Sequence, residues 1–311
     1  MSSPRPVPVA RNVAELFRLF LPQRDYAYFV EHDRRPFAPD ADRFDARNAW
    51  WLAEISMLAY VDDPEFVEAQ LKRAGAREVA CVGFSSKAAT AALIAAFDGW
   101  NAVVFRGTEV YDPRDWALDA DVRLVDWPTG GRVHGGFARA LDDGGAYAAA
   151  VQALLRIGRR PAWFAGHSLG GALSVLASAR LAASTAGVAA RVVGVGAPRI
   201  GDRDFARSLP ACREAWRVVN DRDLMTGFPP RPLGFVHCGR LHLLGPDGGI
   251  VARPADDEAE LSEEGPGAAR SDLPSPEEGV FSPMVDHAPS TYAVKLWNVT
   301  LPVEAVGADG G

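Results

Sequence analysis

The stretch Phe164-Ala165-Gly166-His167-Ser168-Leu169-Gly170-Gly171-Ala172-Leu173, FAGHSLGGAL, decides how the rest of the chain is read. An apolar run at about 161–166 reads as a strand, and an Ala-rich segment at about 169–184 reads as a helix. Between them Gly166-His167-Ser168-Leu169-Gly170 fits G-x-S-x-G, the strand-turn-helix setting of a nucleophile elbow. A serine on so tight a turn needs neighbours two residues away that carry no Cβ, and Gly166 and Gly170 meet that demand. Gly171 and Ala172 let the helix lie close to the sheet. The helix start supplies free N–H groups and positive potential beside Ser168, which makes the Leu169 N–H the expected oxyanion donor. The same pattern also describes a Gly-rich helix start with an inert serine, so the reading depends on finding partners for Ser168.

A serine hydroxyl needs a base to attack at neutral pH, and in this fold class the chain order is serine, then acid, then histidine. Of six histidines, His32 and His134 precede Ser168, and the side chain of His167 points away from its neighbour's hydroxyl. His237 and His242 lie five apart in a strand-like segment and read as histidines satisfied within a sheet. His287 lies in the loop-like VDHAPS just before a helix, where a base can swing between nucleophile and leaving group, and it is preferred. The acid belongs at the end of a strand after Ser168. WRVVNDRD (216–223) offers both Asp221 and Asp223, and position does not separate them.

Composition narrows the function classes. The chain has 311 residues, 48% of them hydrophobic, with eight Trp and fifteen Phe for a large core. Its net charge of −7 offers no basic field for nucleic acid. Residues 252–280 hold nine acids and two arginines, which accounts for the whole excess. This acidic, Pro/Gly/Ser-rich stretch reads as a disordered insertion. Cys81, Cys212 and Cys238 form no CxxC pair or metal pattern. Their odd count argues against a disulfide framework and favours a reducing compartment. With neither a signal-peptide core nor an 18-residue apolar span in the sequence, the expectation is a cytoplasmic protein without a transmembrane segment.

Along the chain, residues 1–10 are Pro-rich and expected to be disordered, and 11–311 are expected to form a single domain. DARNAWWLAEISMLAY (45–60) reads as a largely buried helix, followed by another near 64–74 that ends at Gly75. CVGFSS (81–86) reads as a strand, and Asp98-Gly99 joins AALIAAF and AVVFRG as an antiparallel hairpin. Beyond residue 130, helices at about 135–157 and 169–184 alternate with strands at about 161–166, 191–196 and 215–220. This rhythm predicts an α/β fold whose later sheet is parallel and covered on both faces. GFVHCGRLHLLGPDGGIV (234–251) adds two strands around a turn, and 281–299 ends in a short helix.

Five stretches occur together and in order: VVFRGT (103–108), VHGGFARAL (133–141), GHSLGGAL (166–173), GAPRIGDRDFA (196–206) and VVNDRDLMTGFPP (218–230), followed by His287. Together, from about Ala49 to Trp297, they resemble the class 3 lipases, a family of α/β-hydrolases that includes fungal triacylglycerol lipases, plant phospholipases A1 and feruloyl esterases. The resemblance implies an α/β-hydrolase fold with a mostly parallel central sheet. It favours Asp223 over Asp221, because N-x-x-D before a Pro pair is met by Asn220, Asp223 and Pro229-Pro230. It supports His287, with Tyr292 following. It makes Thr108 the second oxyanion donor, and it makes EVYDPRDWALDADVRLVDW (109–127) an acidic lid.

The expected activity is hydrolysis of fatty acyl esters through an acyl-enzyme, with Ser168 as nucleophile, His287 as base and Asp223 as its orienting acid, without metal or cofactor. Acylglycerols come first as substrates, ahead of phospholipids and of short-chain or aromatic esters, with transient contact to a lipid surface. A non-catalytic interaction protein on the same fold is the alternative from another class.

Overall fold

A computed structural model describes residues 3–84, 90–107, 122–158, 160–184, 190–208, 215–245, 248–252 and 282–301. Residues 109–121 of the expected lid (109–127), Thr108 and nearly all of the acidic insertion lie outside the described residues.

In chain order the elements are α1 (Val13–Phe20), α2 (Ala46–Leu58), α3 (Pro64–Arg73), β1 (Glu78–Val82), β2 (Ala92–Ala96), β3 (Asn101–Phe105), β4 (Leu124–Asp126) and β5 (Arg132–His134). They continue with α4 (Gly135–Asp142), α5 (Ala146–Arg156), β6 (Ala162–His167), α6 (Leu169–Ser184), β7 (Ala190–Val195), α7 (Arg203–Ser208), β8 (Ala215–Asn220), β9 (Arg240–Leu244), β10 (Ile250–Ala252), α8 (Ser282–His287) and α9 (Pro289–Val299).

Eight strands form one sheet in the order β1-β2-β3-β6-β7-β8-β9-β10. The centre, from β3 through β9, is parallel, and both margins are antiparallel. The mostly parallel α/β sheet and its N-terminal hairpin are therefore as the sequence implied. β4 and β5 pair as a separate ribbon, so the last residues of the expected lid segment are strand.

The strands are buried on both faces because successive side chains alternate between two cores. On β6, Trp163 and Ala165 join the layer under α2 and α9, while Ala162 and Phe164 join the layer under α4, α5 and α6. α2 is buried from Asn48 to Leu58, as its apolar pattern predicts. α6 is apolar nearly all round, because it packs directly on β6 and β7. A Cβ on Gly171 would meet the Ala197 side chain at 2.8 Å, so glycine there sets the close approach. No helix among the described residues is long and apolar enough to cross a membrane.

Several expectations are corrected. The single helix over 135–157 is two, because Gly144 and Gly145 adopt φ of 56° and 72° and break it. The Pro-rich N-terminal segment is anchored at Arg5, while residues 3, 4, 6, 7 and 9 are exposed. Arg5 exchanges hydrogen bonds with Asn298 through its backbone, lies over the Trp297 ring and pairs with the buried Glu54 at 3.3 Å. Glu54 also accepts from Tyr26, Trp50 and the Phe29 N–H. A fully buried carboxylate needs these partners, and Arg5 among them ties the Pro-rich segment to the body. Cys238 is disulfide-bonded, and among the described residues Cys81 is a free thiol. An odd cysteine count therefore leaves one thiol over and does not exclude a bridge.

Candidate active site

Ser168 sits between the last residue of β6 and the first of α6, with φ of 56°. A non-glycine residue in the left-handed region is strained, and packing holds it there. The Ser168 N–H donates to Val195 O at 2.9 Å, and Ser168 O accepts from the Gly171 N–H at 3.0 Å. A Cβ on Gly166 would run into the backbone of Gly170, and one on Gly170 would run into the Phe105 carbonyl. Gly166 is thus required by the turn itself, and Gly170 by the close approach of the end of β3. Leu169 takes the first helical position, directly after the serine.

His287 comes from the far end of the chain. It is the last residue of α8, whereas the sequence suggested a loop. Pro289 cannot extend α8, and Ala288 before it is held extended (φ −62°, ψ 137°), so the chain turns at the histidine and restarts as α9. His287 Nε2 lies 3.1 Å from Ser168 Oγ, and Nδ1 lies 2.9 and 2.8 Å from the two carboxylate oxygens of Asp223. All three side chains are buried.

Asp223 lies three residues beyond the end of β8 and caps a short turn by accepting from the Met225 N–H. Its Oδ2 also accepts from the Tyr292 hydroxyl at 2.6 Å. Asp221, the rival carboxylate, faces Arg222 at 3.8 Å. The turn after Asp223 is braced by Arg199, which donates to the carbonyls of Gly227 and Pro229. His237 and His242 are held below the ordinary histidine range, first by burial and then by neighbouring arginines.

The structure therefore brings Ser168, His287, Asp223 and the start of α6 at Leu169 into one place. A hydroxyl, an imidazole and a carboxylate in this sequence can relay a proton from serine to histidine and stabilise the imidazolium that forms.

Sequence reasoning missed three supports. The Tyr292 hydroxyl accepts from the Asn220 N–H at 2.9 Å besides donating to Asp223. The Asn220 side chain donates to both the backbone carbonyl and the carboxylate of Asp286, each at 3.0 Å. Gly196, at φ 59°, leaves room for Asp223 and Tyr292, which a Cβ there would crowd. Their signals were present as Asn220 in N-x-x-D, Gly196 in GAPRIGD and Tyr292 five residues after His287. No local pattern says what each one touches.

A family model described as "Lipase (class 3)" matches residues 102–233, from β3 past the candidate acid. Over these residues the chain is similar to the class 3 lipases. A lipase of Rhizomucor miehei is 32% identical over 148 residues, which cover 44% of this chain and 39% of that protein. The match thus spans less than half of that relative's length. Of solved structures, a triacylglycerol lipase of Penicillium expansum matches with a TM-score of 0.52 at 20% identity, over 68% of this chain and 85% of that one. Another triacylglycerol lipase, whose catalytic centre is described as a serine protease triad, matches with a TM-score of 0.50 at 20% identity, over 83% and 92%. At these identities the two structures show the fold alone, that of the α/β-hydrolases.

Proposed function

We propose that this protein is a serine hydrolase of carboxylic esters, with acylglycerols as its first substrate class. The observation that carries the reading is the continuous hydrogen-bonded chain from Ser168 Oγ through His287 to Asp223, with the serine held at positive φ on its turn. Ser168 attacks the ester carbonyl while His287 Nε2 takes its proton. His287 then protonates the leaving alcohol, water hydrolyses the acyl-enzyme by the same route, and Asp223 holds the imidazole orientation throughout. Leu169 N–H, at the helix start, and Thr108 are assigned to the developing oxyanion. The Rhizomucor miehei relative, named a lipase, supports fatty acyl esters over other esters.

The test is reaction with a fluorophosphonate probe together with p-nitrophenyl butyrate hydrolysis. Ser168→Ala should abolish labelling and lower kcat on the order of 10⁴ or more. Asp221→Asn should stay far more active than Asp223→Asn, and the reverse order would overturn the acid assignment. A panel of tributyrin, triolein, a phospholipid and an aromatic ester separates lipase from phospholipase and feruloyl-type activity. As to compartment, the disulfide at Cys238 supports an oxidising medium, which weakens the case for the cytoplasm made from the cysteine count.

A further inference from the structure

Tyr60 and His167 lie outside the proton relay, yet both are buried against it. Tyr60 follows the end of α2, and its hydroxyl lies 2.9 Å from His167 Nδ1. On the other side of the ring, His167 Nε2 lies 2.6 Å from the backbone carbonyl oxygen of His287. We propose that Tyr60 and His167 are a positioning pair that holds the base of the relay in place through the carbonyl of His287.

The chemistry of the atoms sets the direction of both hydrogen bonds. A carbonyl oxygen only accepts, so His167 Nε2 carries the hydrogen. Burial, and then the neighbouring His287, keep the His167 ring well below the ordinary histidine range, so it is neutral and has one N–H to give. Nδ1 therefore accepts, and the Tyr60 hydroxyl donates to it. In the other tautomer two lone pairs would face each other across the 2.6 Å contact. The His287 carbonyl thus selects the tautomer, and the Tyr60 hydroxyl, able to donate or accept, holds the ring by donating to the remaining lone pair on Nδ1.

His287 is held on both sides by this arrangement. The carbonyl before it, that of Asp286, accepts from Asn220 Nδ2 at 3.0 Å, and its own carbonyl accepts from His167. Tyr60 also reaches the end of β3, since a Cβ on Gly107 would collide with the Tyr60 hydroxyl and with the His167 carbonyl. One tyrosine–histidine pair therefore touches the strand leading to Thr108, the nucleophile elbow and the segment of the base.

This inference rests on the proposed hydrolase reading, so it is tested by two readouts, one of which needs no turnover. Steady-state kinetics on p-nitrophenyl butyrate should show Tyr60→Phe lowering kcat about tenfold with KM unchanged. His167→Asn should lose on the order of 100-fold, the scale of a misplaced catalytic group. His167→Gln, whose terminal nitrogen reproduces the Nε2 donor, should recover most of that loss. A role in folding alone predicts no such split between KM and kcat and no rescue by Gln at equal thermal stability. Independently, long-range 1H–15N NMR should find His167 as the Nε2–H tautomer, with Tyr60→Phe keeping that tautomer but shifting the Nδ1 resonance, whose hydrogen-bond donor is lost. Nδ1–H in the unmodified protein, or Asn and Gln variants with the same kcat as each other, overturns the pair. A wild type that hydrolyses no ester overturns the hydrolase reading instead, and the NMR result still decides the pair.

Discussion

Replacing Tyr292 by Phe removes one oxygen atom from a fully buried ring and leaves the volume almost unchanged. That oxygen donates to Asp223 Oδ2 at 2.6 Å and accepts from the Asn220 N–H at 2.9 Å. Burial, and then the charge of Asp223, push the phenol well above its ordinary range, so it remains a donor throughout the neutral region. Losing a hydrogen bond to a carboxylate costs about 1.5–3 kcal/mol, and leaving a buried N–H without its partner costs about 1–3 kcal/mol. Phe recovers part of this because it has no hydroxyl to desolvate, so the net expectation is about 2–4 kcal/mol of stability. Activity should suffer less. Asp223 keeps His287 Nδ1 and the Met225 N–H as donors, so kcat should fall about tenfold, equivalent to about 1.4 kcal/mol. Urea unfolding followed by tryptophan fluorescence measures the first quantity, and p-nitrophenyl butyrate turnover measures the second. Stability within about 0.5 kcal/mol of wild type would refute the role given to the hydroxyl, as would a loss of kcat as deep as that of Asp223→Asn.

Two further outcomes are expected. His242 stacks on Phe44 at 3.7 Å, and burial, reinforced by Arg240 and Arg217, holds it at about 4 against an ordinary 6.5. Because the unfolded chain binds this proton more readily, stability should fall as pH drops from 6.5 toward 4. The loss is up to about 3 kcal/mol, reduced to about 2 by solvent at the ring edge. His242→Gln should flatten that slope, and urea midpoints across the window that match wild type would exclude it. Thiol titration in denaturant should find one reactive thiol before reduction and three after; three before reduction would remove the disulfide and the oxidising compartment with it.

Most of the fold was legible because its signals are local. Apolar runs marked β3, β6, β7 and β8, and helical periodicity marked α2. What failed was also local in cause. The break at Gly144-Gly145 was read through as continuous helix, and α8, which ends at His287, was read as a loop. The docking of Arg5 could not be read at all, because its attraction is a carboxylate, Glu54, that is withdrawn from water only once α2 is buried.

The sequence by itself determined the elbow, since G-x-S-x-G between a strand and a helix imposes steric demands that only glycine meets at Gly166 and Gly170. It also determined the order of serine, acid and histidine. The tertiary structure alone decided the geometry between them. Sequence position left Asp221 and Asp223 level, and only the direction of the chain after β8 places one against His287 Nδ1 and the other beside Arg222. Likewise His167 and Tyr60, 107 positions apart, acquire a common task only because β6 and the end of α2 meet beneath the base. Hydrogen-bond partners are a property of distance in space, and a linear pattern carries that information only for residues within a turn or two of each other.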